Sequence, residues 1–124
     1  MKKTSSFVSV VDDDESVREA LPGLLKEFGF SSQTFSSAEE FLASGNIPLT
    51  RCLILDIAMP GMSGPELQQT LKQRQMQIPI IFITAHVDAA MRRQLLAQGA
   101  VGCLLKPFTD NALLDALDLA LQNE

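Results

Sequence analysis

The chain has 124 residues, of which 46% are apolar and 20% are charged, a composition typical of one compact domain and too short for two. Fifteen acidic and ten basic residues give a formal net charge of −5, so the chain would repel a phosphate backbone and we expect no direct nucleic-acid binding. The apolar run at 7–11 is shorter than the core of a signal peptide, and no run approaches a membrane span. We therefore expect a cytoplasmic protein without a membrane segment.

Five short apolar or β-branched runs, each bounded by polar or turn residues, predict five strands at 7–11, 32–35, 52–55, 80–83 and 102–105. Between them, apolar residues recur at the spacing of one helix face. The pattern is clearest within 17–28 and 113–121 and weaker near 38–42, 67–71 and 91–96. Strands that alternate with helices imply right-handed crossovers, so we predict an α/β fold with a parallel sheet and helices on both faces.

Local signals refine this pattern. Glycines that favour a left-handed helix end follow three of the predicted helices, at Gly29, Gly45 and Gly99. Pro22 lies inside the first helical pattern, where proline removes a hydrogen bond, so this helix is expected either to be kinked there or to begin its regular part late. Cys52 and Cys103 fall inside predicted strands without the paired spacing of a zinc site, and we expect two buried thiols.

Polar side chains follow four of the five predicted strands. Asp12 and Asp13 come directly after the first strand and Asp56 after the third, whereas the fourth leads into Thr84 and the fifth into Lys106. Ligands of open parallel sheets bind beyond the carboxyl ends of the strands, where the strand order reverses. If the order is the flavodoxin-like 2-1-3-4-5, that point lies between strands one and three, and the three aspartates face each other.

Three carboxylates in one cleft must take up protons or recruit cations. Two like charges about 4 Å apart repel by on the order of 4 kcal/mol at an effective dielectric near ~20, and Lys106 can cancel only one charge of the three. The remainder suits a divalent ion, and oxygen ligands with room for water select Mg²⁺ over zinc or copper. A phosphoryl group arriving there would meet Mg²⁺, an ammonium, a hydroxyl and a carboxylate able to accept it.

Four stretches now carry a resemblance: VVDDDESVR at 10–18, LILDIAMPGMSGPEL at 53–67, IFITAH at 81–86 and GAVGCLLKPF at 99–108. In order and separation they resemble the receiver domains of two-component response regulators, and most closely the FixJ/NarL-type subgroup. The resemblance covers nearly the whole chain and implies a single receiver domain over residues 1–124. It also implies the flavodoxin-like (βα)5 doubly wound fold with strand order 2-1-3-4-5.

The resemblance implies a magnesium site and a phosphoryl acceptor. Asp56 resembles the acceptor, which is also a metal ligand, and Asp13 resembles a direct ligand of Mg²⁺. Asp12 resembles the second acid, which usually acts through water. The backbone carbonyl of Ala58, two residues after the acceptor, would be a further ligand.

The resemblance also assigns residues that respond to the phosphoryl group. Thr84 resembles the switch hydroxyl and Lys106 the lysine that pairs with the phosphate, and the bond from Lys106 to Pro107 is expected to be cis. Cys103 stands where many relatives carry an aromatic switch residue. His86 lies where relatives modulate dephosphorylation, and it could orient a water or add positive charge.

Partners follow from the same resemblance. A sensor histidine kinase would supply the phosphoryl group and dock on the first helix near Ser16, Arg18 and Leu21, and the altered surface would comprise helix four, strand five and helix five. Receivers of this type can pair as homodimers on phosphorylation and often precede a LuxR-type DNA-binding domain, which this sequence lacks. The chain is either a lone receiver or part of a longer protein.

Other interpretations compete with the switch. Asp14 and Glu15 are expected to cap and begin the first helix without a further role. A haloacid-dehalogenase-type phosphohydrolase also uses an aspartate nucleophile, Mg²⁺ and a lysine, but it needs an acid two residues after the nucleophile, where this chain has Ala58. A degenerate receiver that serves only as a binding module would lack phosphorylation altogether. The switch itself would not be a turnover enzyme.

Overall fold

The computed structural model describes residues 6–122, which form five strands alternating with five α-helices. The strands are β1 (Phe7–Val11), β2 (Ser31–Phe35), β3 (Cys52–Asp56), β4 (Ile80–Thr84) and β5 (Gly102–Leu105). The helices are α1 (Glu15–Glu27), α2 (Ala38–Ala43), α3 (Gly64–Gln73), α4 (Ala89–Ala97) and α5 (Asp110–Leu121), and a 3-10 turn at Ile47–Leu49 follows α2. Every predicted element is present. β3 and β4 each extend by one polar residue beyond the predicted apolar run, to Asp56 and Thr84.

All neighbouring strands pair in parallel, in the order β2-β1-β3-β4-β5. This order is the flavodoxin-like arrangement that the resemblance implied. Successive strand residues alternate between two buried apolar clusters, so that Leu53 and Leu55 join one cluster and Ile54 joins the other. Residues of α2, α3 and α4 complete the first cluster, and residues of α1 and α5 complete the second. The sheet is therefore covered on both faces, as predicted.

Of the two expectations for the first helix, a kink at Pro22 or a late start of its regular part, the structure excludes the late start. Asp14 is its N-cap, and the Asp14 carboxylate accepts a hydrogen bond from the Ser16 amide at 3.0 Å, which fixes the start at Glu15. Helical residues continue on both sides of Pro22 as far as Glu27. A late start of the regular helix is therefore wrong, because the cap precedes the proline by two turns.

Other local expectations are confirmed. The glycines predicted to end helices have positive φ angles of 95°, 82° and 107° at Gly29, Gly45 and Gly99. Cys52 and Cys103 are buried thiols that form no disulfide. Within residues 6–122, no helix combines the length and apolarity needed to cross a membrane.

The sheet register brings the carboxyl ends of the central strands level with one another. Asp56 pairs with Ile83, and Thr84 pairs with Leu105. Backbone hydrogen bonds continue this ladder past the strand ends, from the Ile57 amide to the Ile83 carbonyl at 3.2 Å and from the Lys106 amide to the Thr84 carbonyl at 2.7 Å. The backbone therefore places Asp56, Thr84 and Lys106 at one edge of the sheet.

Candidate functional site

Three carboxylates meet at this edge, as the sequence predicted. One carboxylate oxygen each from Asp12, Asp13 and Asp56 lies within 4.8 Å of the other two. Asp12 is fully buried and Asp56 is 5% exposed, whereas Asp13 is exposed to solvent. The cluster therefore has two acids inside the protein and one at its open side, where a ligand could enter.

Lys106 reaches into the cluster from the end of β5. Its ammonium lies 2.8 Å from Asp12 Oδ2 and 3.5 Å from Asp56 Oδ1. Oδ2 of Asp12 is buried and accepts no hydrogen bond of good geometry among residues 6–122. The Lys106 ammonium is its ion-pair partner. One ammonium thus serves two buried carboxylates, and an excess of negative charge remains.

Burial and the neighbouring charges raise the pKa of Asp56 to about 7 from an ordinary value of 3.8. Burial is the largest cause and the charge of Asp12 the next, while the Lys106 ammonium opposes both. Burial alone would lower the pKa of Lys106, but the close ion pair with Asp12 and the charge of Asp56 prevail and raise it. Near neutral pH the metal-free site therefore retains a proton on Asp56 for part of the time, and a cation would displace that proton.

The backbone around Asp12 is held from three sides. Its amide donates to the Phe35 carbonyl at 3.1 Å, and its carbonyl accepts from Arg18 Nη1 at 2.9 Å. Its side-chain Oδ1 accepts from the Asp14 amide at 2.9 Å. These bonds orient Oδ2 toward Lys106 and the centre of the cluster, so the carboxylate is fixed before any ligand arrives.

The loop after β3 passes beside the acceptor candidate. Ala58 is exposed in this loop, two residues after Asp56, which is where the resemblance places a carbonyl ligand. Gly64 closes the loop by donating from its amide to the Ile57 carbonyl at 2.9 Å. A Cβ at Gly64 would overlap the backbone carbonyl oxygen of Asp56, so only glycine allows this close approach. This role was not predicted from the sequence, although a glycine shortly before the predicted helix near 67–71 is a visible signal.

Thr84 is 3% exposed at the end of β4. Its hydroxyl donates to the His86 carbonyl at 2.9 Å and accepts from the His86 amide at 3.2 Å, so it folds the start of the β4–α4 loop back onto the strand. The His86 side chain is exposed beside it. The hydroxyl therefore lies at the predicted edge of the sheet but is engaged with its own loop.

Two other expected residues lie on β5 and just beyond it. Cys103 is 3% exposed and packs in the cluster covered by α2, α3 and α4, where burial raises the pKa of its thiol against the opposing charge of Arg92. Arg92 donates from α4 to the Cys103 carbonyl at 2.9 Å and links that helix to β5. The peptide bond between Lys106 and Pro107 is cis, as predicted.

The first helix differs from the expectation for a docking surface in one residue. Ser16 is exposed, but Leu21 is 4% exposed and packs in the cluster covered by α1 and α5. Leu21 is therefore unavailable for contact with a partner, because its helical position points it at the sheet. Arg18 is half-buried and already bound to the Asp12 carbonyl.

The donor set fits a hard divalent cation. The clustered ligand atoms are all carboxylate oxygens, and the buried Oδ2 of Asp12 lacks a full set of partners. Asp13 contributes from the exposed side, which leaves room for water molecules and for a phosphoryl oxygen. Neither thiol lies in the cluster, so nothing in it favours a soft metal such as zinc.

Comparisons with known proteins identify the family of the chain. A family model described as the response regulator receiver domain matches residues 8–118, which include every residue of the acid cluster as well as Thr84 and Lys106. TodT of Pseudomonas putida, a response regulator protein, is 43% identical over 122 residues, which cover 98% of this chain and 54% of TodT. The chain thus spans about half the length of the curated relatives it matches.

Solved structures give the same result. The response regulator StyR superposes with a TM-score of 0.88 at 48% identity, over 96% of this chain and 60% of that one. The FixJ-N structure superposes with a TM-score of 0.85 at 37% identity, over 100% of this chain and 98% of that one. The resemblance drawn from the four sequence stretches is therefore confirmed, and this chain belongs to the family of response regulator receiver domains, whose standard role is that of a phospho-aspartate switch.

Proposed function

We propose that residues 1–124 act as a single receiver domain in which Asp56 accepts a phosphoryl group from the phosphohistidine of a sensor histidine kinase. One observation carries the assignment to Asp56: this carboxylate lies at the end of β3 within 3.5 Å of Lys106 and in the same cluster as Asp12 and Asp13. Asp12 is fully enclosed and bound to Lys106, and Asp13 lies at the exposed side. Asp56 therefore has a neighbouring ammonium and keeps a small exposed fraction of 5%, whereas Asp12 has no exposed surface.

The transfer would break the phosphorus–nitrogen bond of the donor as phosphorus bonds to a carboxylate oxygen of Asp56, and the departing imidazole takes up a proton. Asp12, Asp13, Asp56 and the Ala58 carbonyl would hold Mg²⁺, as receiver domains do with an acidic pocket. Bound there, Mg²⁺ neutralises charge on the phosphoryl oxygens. Lys106 would move its ammonium from Asp12 toward the new dianion, and the exposed His86 would influence the water that later hydrolyses the acyl phosphate.

The switch would begin at Thr84. Its hydroxyl is bound to the His86 backbone at 2.9 Å, so binding a phosphoryl oxygen would require this contact to be exchanged. That exchange would release the start of the β4–α4 loop and bias the surface formed by α4, β5 and α5. Since Cys103 offers no aromatic ring to rotate, the change would pass through the hydrogen bond from the Lys106 amide to the Thr84 carbonyl and through the Arg92 bond to β5.

The domain would act with partners and not as a turnover enzyme. We place it in the cytoplasm with its kinase, with no membrane contact and no direct nucleic-acid contact of its own. A homodimer formed on phosphorylation through the altered surface, and a LuxR-type DNA-binding domain elsewhere in a longer protein, would complete a transcriptional response. TodT and FixJ, to which the chain is similar over about half their length, carry regulatory names that support this proposal.

The test is incubation with acetyl phosphate and Mg²⁺ followed by intact mass spectrometry. We expect one phosphoryl adduct that requires Mg²⁺, disappears in Asp56→Asn and persists in Asp115→Asn, a matched change at an exposed acid of α5. No adduct would favour the degenerate binding module. Continued turnover of a simple phosphate ester, lost in Asp56→Asn, would favour the phosphohydrolase.

A further inference from the structure

Glu39 links a helix on one face of the sheet to the loop that follows the acceptor candidate. It lies in the first turn of α2, and its Oε2 accepts a hydrogen bond from the Met62 amide at 2.9 Å, across 23 positions of sequence. The same oxygen lies against Gly61, so close that a Cβ built there would be 2.8 Å away. Two neighbouring residues of the β3–α3 loop are therefore in contact with a single carboxylate.

The helix that carries Glu39 is a rigid support. Ala38 and Phe41, on either side of it in the sequence, are both fully buried in the cluster beneath α2, α3 and α4. Ser37 caps the helix by accepting from the Glu40 amide at 3.0 Å. The carboxylate of Glu39 is thus held by an element that packing and capping fix in place.

The loop is bound to the fold at its two ends, and the Met59 side chain, buried in the cluster beneath α2, α3 and α4, anchors it in between. Its first residue, Ile57, bonds β4, and Gly64 closes back on Ile57 at 2.9 Å. Between them Ala58, Pro60 and Gly61 are exposed, and Gly61 has a positive φ of 76°. The Glu39 contact falls in this exposed middle section, three to four residues from Ala58.

We propose that Glu39 is a positioning residue of the phosphoryl site, whose carboxylate holds the β3–α3 loop so that the Ala58 carbonyl faces the acid cluster and Mg²⁺ binds more tightly. This inference rests on the proposed function, because it takes Ala58 as a metal ligand. Glu39 does not enter the acid cluster itself. It acts through the backbone of Gly61 and Met62.

The chain offers a matched control. Glu40 is the other acid in the first turn of α2, is equally exposed, and accepts from the Ser36 amide and hydroxyl at 2.6 and 3.0 Å, away from the β3–α3 loop. Glu40→Ala removes the same charge from the same helix. Glu39→Gln removes the charge of Glu39 but keeps an oxygen that can accept from Met62.

The experiment measures Mg²⁺ affinity by isothermal titration calorimetry and, in metal-free protein, the hydrogen exchange of the Met62 amide by NMR. Glu39→Ala should raise the Kd for Mg²⁺ roughly fivefold, the lower end of coupling between sites, and speed exchange at Met62. Glu39→Gln and Glu40→Ala should keep the wild-type Kd. Urea unfolding of all variants detects a loss of stability that would move every readout together.

Several results would overturn the proposal. An unchanged Kd for Mg²⁺ in Glu39→Ala would rule out the role of Glu39. An equal rise of this Kd in Glu40→Ala or Glu39→Gln would also rule it out, because it would show a general effect of charge. If wild-type protein binds Mg²⁺ and is modified on Asp56 while Glu39→Ala behaves identically, only the inference about Glu39 fails. If wild-type protein binds no Mg²⁺, the proposed function fails with it.

Discussion

Asp56→Asn should stabilise the metal-free protein at alkaline pH, because it removes a negative charge from an overcrowded site. The pKa of Asp56 is raised from 3.8 to about 7, mainly by burial and then by the charge of Asp12. In the folded state this carboxyl therefore binds a proton that the unfolded state releases between those two values. The free energy of unfolding consequently falls as pH rises from about 4 to about 7 and stays low above.

The magnitude follows from the same values. An increase of about 3 pKa units corresponds to roughly 4 kcal/mol at ~1.4 kcal/mol per unit, with little reduction for solvent because Asp56 is 5% exposed. The proton on Asp56 is coupled to the charges of Asp12 and Lys106, so about 2 to 4 kcal/mol is the expected gain at pH 8. Near pH 4 the variant and the wild type should have nearly equal stability, since the carboxyl is then protonated in the folded protein.

The assay is urea unfolding with EDTA present, from pH 5 to pH 8.5, followed by far-ultraviolet circular dichroism because the chain contains neither Trp nor Tyr. The wild type should lose stability across this range relative to Asp56→Asn, and Asp115→Asn should follow the wild type. Saturating Mg²⁺ should offset most of this difference at pH 8, because a hundredfold excess over Kd adds about 2.7 kcal/mol to the wild type. Parallel pH profiles for wild type and Asp56→Asn would refute the electrostatic reasoning.

Three further changes test other parts of the site. Lys106→Gln removes the ammonium that faces Asp12. Urea unfolding of the metal-free variant at pH 8 should give a free energy of unfolding that is about 3 kcal/mol lower than that of the wild type. An unchanged value would mean that the ion pair contributes nothing to stability. Gly64→Ala should cost about 1 to 3 kcal/mol by the same measurement and slow acetyl phosphate labelling, whereas Gly23→Ala, in open space on α1, should stabilise by up to about 1 kcal/mol. Thr84→Ala should keep the phosphoryl adduct but lose the NMR response of α4 and β5 to beryllium fluoride. Thr84→Ser should restore this response. A full response in Thr84→Ala would exclude the hydroxyl as the switch.

The features that the sequence predicted correctly depend on short-range patterns. The strands are continuous apolar runs because the sheet is covered on both faces, and such runs are visible without any knowledge of the fold. The candidate site was predictable because parallel strands place all their carboxyl ends at one edge, and because the strand order implied by the resemblance puts Asp12 and Asp56 on neighbouring strands. Asp14 was recognisable as a helix cap from its position.

The features that the sequence left undetermined depend on contacts between distant segments. Nothing local to Glu39 indicates that its carboxylate binds an amide 23 positions away. The need for glycine at 64 comes from the Asp56 carbonyl, and the engagement of Thr84 with the His86 backbone depends on the path of one loop. Leu21 illustrates the converse error, since proximity to the site in sequence did not reveal that its side chain points into the core.

The same repulsion that weakens this edge of the sheet can make the domain responsive. A ligand shifts a conformational equilibrium only by the difference in its affinity for the two states. Because Asp12 and Asp56 share one ammonium, the metal-free site keeps an excess of negative charge, which Mg²⁺ would neutralise. A phosphoryl group on Asp56 would add negative charge to this cluster, and Lys106 would move from Asp12 toward it. The loop ends that these residues anchor, at Thr84 and Lys106, would have to move together because a backbone hydrogen bond of 2.7 Å joins them.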